Sequence, residues 1–448
     1  MNVGFILNKF LCRRKIKEFK PLKMKVMKKF FLPFLAVAAL GFAAGCSDDD
    51  PINPGPGPDP DPEAEVVTKS GILEGDETWT ADKIYVLDGK VVVDDGITLT
   101  IEPGTLIKAE TGDLDQASAL IVDPGGRLLA EGTADAPIIF TSVDDDIKPG
   151  ETESSLELAD AGKWGGVIIL GNAPISVSAA SGTALIEGIP DNLPYGTYGG
   201  TDPIDEFAPG EGGSKLDYIS IRFSGVALAA DSEIQGLTLG GVGSATSIKN
   251  IEIYSNLDDG VELFGGTVNV ENLLIYGQQD DGIDIDQAYS GTISNAFVIQ
   301  SEESGSAFEI DGPEGSMENS FTLRNITVDA GNFDGKLLAD FRSRAMGTLE
   351  NIYMFNINAA GSSVNIADNA TAANYNSGKI IFDSWEIAVP AGKTVADLFT
   401  TLDSGGNPIT TPVSNEAFVD NVTAVEEGMV GADLSVFGWT YTKSQGAF

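Results

Sequence analysis

Residues 247–286 read SIKNIEIYSNLDDGVELFGGTVNVENLLIYGQQDDGIDID and contain one pattern twice. An asparagine opens an apolar strand, and a glycine ten residues later opens another. Asn250/Gly260 and Asn272/Gly282 are the first two pairs; Asn295/Gly305, Asn325/Gly335 and Asn351/Gly361 follow. The asparagines lie 22, 23, 30 and 26 residues apart, yet the lag to glycine never changes. Variable spacing around a fixed lag is what insertions at one loop do to a coil whose strands must stay aligned. A period near 22 with several short strands per period predicts a parallel β-helix. Equivalent residues then stack about 4.8 Å apart. The asparagines are expected to form a hydrogen-bonded ladder, and the glycines to occupy corners with positive φ. Ile251, Ile253, Leu273, Ile275, Phe297 and Ile299 are expected to point inward. A β-sandwich is the rival architecture, but its hairpins do not generate a fixed-lag repeat.

Outward from this stretch the chain keeps the same texture. Short runs rich in Val, Ile, Leu and Thr are cut by Asp88-Gly89, Asp95-Gly96, Pro103-Gly104 and Pro124-Gly125. Residues 187–214, rich in Gly, Pro and Asp, read as a long loop leaving one coil. Residues 391–402 (AGKTVADLFTTL) read as a short amphipathic helix, and 431–440 (GADLSVFGWT) as another helix or a capping strand. The organisation read from sequence is 1–45 as an over-long start plus signal, 46–68 as a tether, 69–385 as the β-helix, and 386–448 as a helical or irregular C-terminal cap. Met24 or Met27 reads as the better initiator.

Composition narrows the chemistry. The chain has no histidine, and its two cysteines are Cys12 and Cys46. The body therefore has no Ser-His-Asp triad, no Cys nucleophile, no His-ligated metal and no disulfide. Lys and Arg total 27 against 67 Asp and Glu, a net charge of −40. Because ten of the basic residues precede residue 30, the chain from Cys46 onward carries −49. Such a body repels nucleic acid and anionic polymers.

The first 65 residues read as an address. Lys25, Lys28 and Lys29 precede an apolar run from Phe30 to Ala39, then Ala43-Ala44-Gly45-Cys46. The run is short for a membrane span. The junction resembles the lipobox of bacterial lipoproteins, with Ala43 where Leu is commoner; the resemblance implies lipidation, by palmitate among other chains, at Cys46. The following Ser47-Asp48-Asp49-Asp50 resembles the sorting signal of Bacteroidetes-type surface lipoproteins, which implies the outer face of the outer membrane. Six prolines from Pro51 to Pro62 favour extended polyproline II, a tether of about 50 Å.

The stretches LTIEPGTLIKA, LLAEGTADAPIIFTS, GKWGGVIILGNAPI, KLDYISIRFSG and residues 236–286 resemble a family of bacterial extracellular β-helix proteins without an assigned activity. The resemblance covers roughly residues 70–330 and implies a right-handed, single-stranded parallel β-helix in the cell envelope. Chemistry is expected at the acidic corner. Asp258, Asp280 and Glu303 are expected to form one column, and Asp259, Asp281, Ser304 and Asp334 the next. Stacked carboxylates repel, and turn hydrogen bonds, solvent or a cation must offset that. Calcium needs only oxygen ligands, so Asp258, Asp259, Asp280 and Asp281 are its candidate set; no organic cofactor is expected. QQDDGIDID also resembles the acidic turn of polygalacturonases, making Asp259, Asp280, Asp281 and Asp284 candidate catalytic carboxylates. That family's Gly-His-Gly and Arg-x-Lys motifs are absent here, and the nearby cations are Lys249, Arg324, Lys336, Arg342 and Arg344. Trp164, Tyr195, Tyr198, Tyr254, Tyr276 and Tyr289 are a candidate sugar-stacking face, with packing the plainer account. The sequence thus reads as a surface lipoprotein serving binding, adhesion or scaffolding, calcium-stabilised in one version. Its expected partners are the membrane through Cys46 and a carbohydrate or an outer-membrane protein. The alternative is a calcium-dependent polysaccharide hydrolase or lyase.

Overall fold

The computed structural model describes residues 64–113, 116–226 and 234–448. Cys12, Cys46, the signal and the tether up to residue 63 lie outside the described residues. Among the described residues, 25 strands join one sheet whose ladders run parallel, and the sheet winds into a β-helix. The first strand, Glu65–Ile72, begins inside the segment read as tether and pairs with Lys83–Val93. The last rung, Val422–Ala424, lies well past residue 385. Asp88-Gly89 is a bend within Lys83–Val93 rather than a break between strands.

Two ladders position the site. Long strands stack in the order Lys215–Arg222, Ser247–Asn256, Asn269–Gln278, Thr292–Ile299, Phe321–Asp329 and Gly347–Phe355. Short strands stack in the order Val167–Leu170, Leu237–Gly240, Val261–Phe264, Ile283–Asp286, Phe308–Asp311, Leu337–Arg342 and Ser363–Ile366. Each long strand turns a corner at one residue, Tyr218 in the first and an asparagine in the other five, and pairing skips that residue: Lys249 pairs Glu271 and Ile251 pairs Leu273, with Asn250 and Asn272 between them. All five asparagines take positive φ: 49° at Asn250, 59° at Asn272, 56° at Asn295, 55° at Asn325 and 56° at Asn351. Asparagine tolerates this left-handed conformation better than other non-glycine residues. Its amide then points along the axis. Asn272 Nδ2 donates to Asn250 Oδ1 at 2.8 Å, Asn295 Nδ2 to Asn272 Oδ1 at 2.7 Å, and Asn351 Nδ2 to Asn325 Oδ1 at 3.0 Å.

The glycine expectation fails at Gly260, Gly282 and Gly305, whose φ is not positive, and holds at Gly335 and Gly361. Close approach explains Gly260 and Gly282. A Cβ on Gly260 would sit 2.6 Å from the Gly282 carbonyl oxygen, and one on Gly282 would sit 2.6 Å from that of Ala307.

Val, Ile and Leu at alternate strand positions fill one core running from Leu73 to Val422. Ile251, Ile253, Leu273 and Ile275 belong to it, but Phe297 and Ile299 do not. In register, Leu273 and Ile275 pair Ala296 and Val298, which face inward. Phe297 and Ile299 point out and are covered by the C-terminal segment, where Phe437 packs on them and on Leu274. Within 386–448, Leu398 and Phe418 are buried in the core beside Phe382 and Trp385, as a cap requires, and the stretch from about residue 430 continues past them. It runs back along the coils: Ala432 N donates to Thr327 Oγ1, Asp433 N to Asn295 Oδ1, and Thr442 N to a Glu252 carboxylate oxygen at 2.7 Å. The Tyr441 ring lies 4.4 Å from the fully buried Arg222 guanidinium. The helix expected over 391–402 is one 3-10 turn, Val395–Leu398, followed by the strand Phe399–Thr400. α-Helices occur instead at Asn369–Asn376, Glu416–Asn421 and Tyr441–Ser444. Residues 187–214 do leave the coil, carrying part of a small hairpin, Ala184–Leu185 against Thr197–Tyr198.

Candidate functional site: an acidic strand face

Four consecutive short strands read VELF, IDID, FEID and ADFR. Their first and third residues enter the core, so their second and fourth face out. Strand pairing stacks Glu262 on Asp284, Asp284 on Glu309 and Glu309 on Asp340, and the column continues into Asn365 and Thr400. A flanking column holds Asp286, Asp311 and Arg342. The turn before the strands adds Asp259 and Asp281.

Unscreened, two adjacent carboxylates 4.8 Å apart repel by about 3.5 kcal/mol at an effective dielectric of about 20. One cation offsets part of this. Arg342 Nε lies 2.7 Å from Asp311 Oδ2, and its terminal nitrogen contacts Glu309. The other cations read from sequence serve elsewhere. Lys336 Nζ donates to the Glu302 carbonyl, Arg344 to the Gly315 carbonyl, Arg324 pairs Glu350 and Lys249 pairs Glu271. Burial, reinforced by neighbouring carboxylates, holds Asp259, Glu262 and Asp284 well above the ordinary carboxylate range. Burial also raises Asp286 to about 7 and Asp311 to about 6, and it raises Asp340.

The expected columns are only partly realised. Asp281 follows Asp259, its backbone N–H donating to Asp259 Oδ1 at 2.7 Å. The next member is Ser306, whose N–H and hydroxyl both donate to Asp281 Oδ1. Ser304, Asp334 and Glu303 are out of register, because Ala307, twelve residues after Asn295, is the partner of Gly282. Asp258, Asp259 and Asp280 do converge, each offering a carboxylate oxygen within 4.8 Å of the others. Asp281, the fourth expected calcium ligand, is turned to Ser306 instead and its pKa is raised by burial. Of the candidate catalytic carboxylates, Asp280 and Asp281 line an open groove of about 680 Å³ with Ser306, Glu309, Asp340 and Arg342. Asp259 and Asp284 do not line it. The sugar-stacking face dissolves into packing: Trp164, Tyr198, Tyr254 and Tyr289 are buried, and Tyr254 meets Tyr276 edge-on at 5.7 Å.

Glu262, Glu309, Asp311 and Asp340 escaped the sequence reading. For Glu262, Glu309 and Asp340 the signal was present as an acid in the second position of VELF, FEID and ADFR, matching Asp284 in IDID, and Asp311 repeats the acid that ends IDID.

The chain matches a pectate-lyase-like β-helix domain over residues 71–440 and belongs to that family. No curated protein and no solved structure matches it.

Proposed function

We propose that this protein is a lipid-anchored binding module of the outer cell surface, holding a neutral glycan in its acidic groove. One observation carries the reading: the groove presents Ser306, Glu309, Asp340, Arg342, Asn365 and Thr400 from successive coils, side by side. Rungs about 4.8 Å apart, combining carboxylate acceptors with hydroxyl, amide and guanidinium donors, suit the vicinal hydroxyls of an extended sugar chain. The net negative charge disfavours uronate polymers. The lipobox-like Ala43–Cys46 and the proline tether supply the reading's other half, display at a distance from the outer membrane.

Binding is favoured over hydrolysis by accessibility. A carboxylate pair must reach a glycosidic bond, yet Asp259, Asp281 and Asp284 are each less than a tenth exposed. The second reading, a calcium-dependent polysaccharide hydrolase or lyase, is favoured by Asp280 and Asp281 lining the same groove.

The test is retention of the full chain on immobilised polysaccharides, with whole-cell palmitate labelling alongside. Expected are retention on a neutral glycan, loss of it in Asp340→Asn/Arg342→Gln, and loss of label in Cys46→Ala. Retention indifferent to the groove variants, or on no glycan, overturns the binding role; unchanged labelling overturns the anchor. Released reducing ends or unsaturated products, lost in Asp281→Asn, establish the second reading instead.

A further inference from the structure

Beside the groove, in the preceding coils, Asp259, Glu262 and Asp284 meet. Each offers a carboxylate oxygen, and the three oxygens lie within 4.8 Å of one another. The residues are 7 %, 6 % and 8 % exposed, so solvent screens them little. Asp284 Oδ1 is buried without any hydrogen-bond partner. A buried acceptor left unpaired costs about 1–3 kcal/mol, and more when it is charged. Among the described residues Arg342 is the cation nearest in register, and its contacts are with Glu309 and Asp311. Three buried acids therefore converge, one of them carrying an unsatisfied oxygen, and among the described residues no basic side chain forms an ion pair with them.

We propose that Asp259, Glu262 and Asp284 form a buried site for one divalent cation, calcium being the ion this oxygen-only set favours. Two oxygens on opposite sides of a calcium ion are about 4.6–5.2 Å apart, given bonds of about 2.3–2.6 Å. The triad's oxygens fall within that span. Magnesium needs a tighter shell and zinc prefers nitrogen or sulfur ligands. Three carboxylates binding through one or both oxygens supply three to six ligands of the six to eight calcium takes. The neighbouring groups are weaker candidates. Asp284, Glu309 and Asp311 also converge, but Arg342 already neutralises two of them. Asp258 and Asp280, which the sequence pairs with Asp259, have partners of their own, and Asp280 is exposed. A cation in the triad ties the turn at Asp259 to the strands Val261–Phe264 and Ile283–Asp286. It also stiffens the floor beside the groove, whatever that groove binds.

The experiment is calcium titration by calorimetry on the full chain, with thermal midpoints in calcium, magnesium and chelator. Expected are one calcium per chain and a midpoint raised by calcium over chelator. Asp284→Asn should weaken binding by at least about tenfold and raise the chelator midpoint, because one of three mutually repelling charges is gone. Asp258→Asn should bind as the parent does. The proposal is overturned by no calcium uptake, by full uptake in Asp284→Asn, or by equal losses in Asp258→Asn and Asp284→Asn. Should Asp284→Asn fail to fold, Glu262→Gln is read by the same criteria.

Discussion

Replacing Asn272 separates the two jobs an asparagine does at each corner of this solenoid. Its φ of 59° is a conformation most residues avoid. Its amide donates to Asn250 at 2.8 Å and accepts from Asn295 at 2.7 Å. Asn272→Gly keeps the backbone comfortable and removes both side-chain bonds. At about 1 kcal/mol net for each, plus the added chain entropy of glycine, the loss should be about 2–3 kcal/mol. Asn272→Ala removes the same bonds and adds the left-handed penalty of about 1–2 kcal/mol, for about 3–4 kcal/mol in all. The assay is urea unfolding followed by circular dichroism and tryptophan fluorescence, whose agreement shows that one transition is being compared. The order parent, Gly, Ala is the essential result. Equal midpoints for Gly and Ala would mean that the left-handed corner carries no strain. Losses under about 0.5 kcal/mol in both would mean that the ladder bonds only replace water.

Two further outcomes follow from the packing and the charge. Phe437 is fully buried against Leu274, Phe297 and Ile299, so Phe437→Ala should cost about 3–5 kcal/mol. Amide exchange should quicken in Asn269–Gln278 and Tyr441–Ser444, and stay unchanged in Val167–Leu170; unchanged exchange everywhere would remove the strap from the stability account. Asp123 accepts from Gly196 N at 2.7 Å, and burial, with Asp94 and Asp95 nearby, raises its pKa from 3.8 to about 6. The folded state then holds a proton that the unfolded state releases, so this contribution is complete below about pH 4 and fades as pH rises through 6. After allowance for solvent screening it amounts to about 1.5 kcal/mol. Subtracting the Asp123→Asn stability curve from the parent's should expose that slope, and parallel curves would refute it.

The fold was legible because a solenoid writes its period into the sequence. Asn250 to Asn351 mark one corner per coil, and the core residues beside Asn250 and Asn272 follow from simple alternation. Legibility failed wherever the third dimension supplied a partner from far along the chain. Phe297 and Ile299 look inward by composition, and only the returning segment around Phe437 explains how large apolar side chains can face out. The glycines looked like left-handed turns, but Gly260 and Gly282 are fixed by a carbonyl oxygen in the next coil. Ser304 looked like the successor of Asp281. Two extra residues in that coil's turn put Ser306 there instead, an insertion that the unvarying Asn-to-Gly lag concealed.

The acidic face follows a different logic. Aspartate and glutamate are poor strand formers, and like charges directly across a ladder destabilise it. A parallel β-helix cannot stagger them, because register places Glu262, Asp284, Glu309 and Asp340 in one line. Local propensity and electrostatics therefore both oppose this column, while the core side of the same strands is satisfied by Val261, Ile283, Phe308 and their partners. The face is also unevenly compensated. Glu309 and Asp311 share Arg342, and Asp340 accepts from Asn365 at 2.9 Å. The half built from Asp259, Glu262 and Asp284 is more deeply buried, has no cation paired to it among the described residues and leaves Asp284 Oδ1 unsatisfied. Turn formation alone accounts for Asp259, whose carboxylate receives the Asp281 N–H, but not for Glu262 or Asp284, which lie within strands. The proposed divalent cation would supply the positive charge that this half of the face lacks, and Glu262 and Asp284 are where its loss should be felt most.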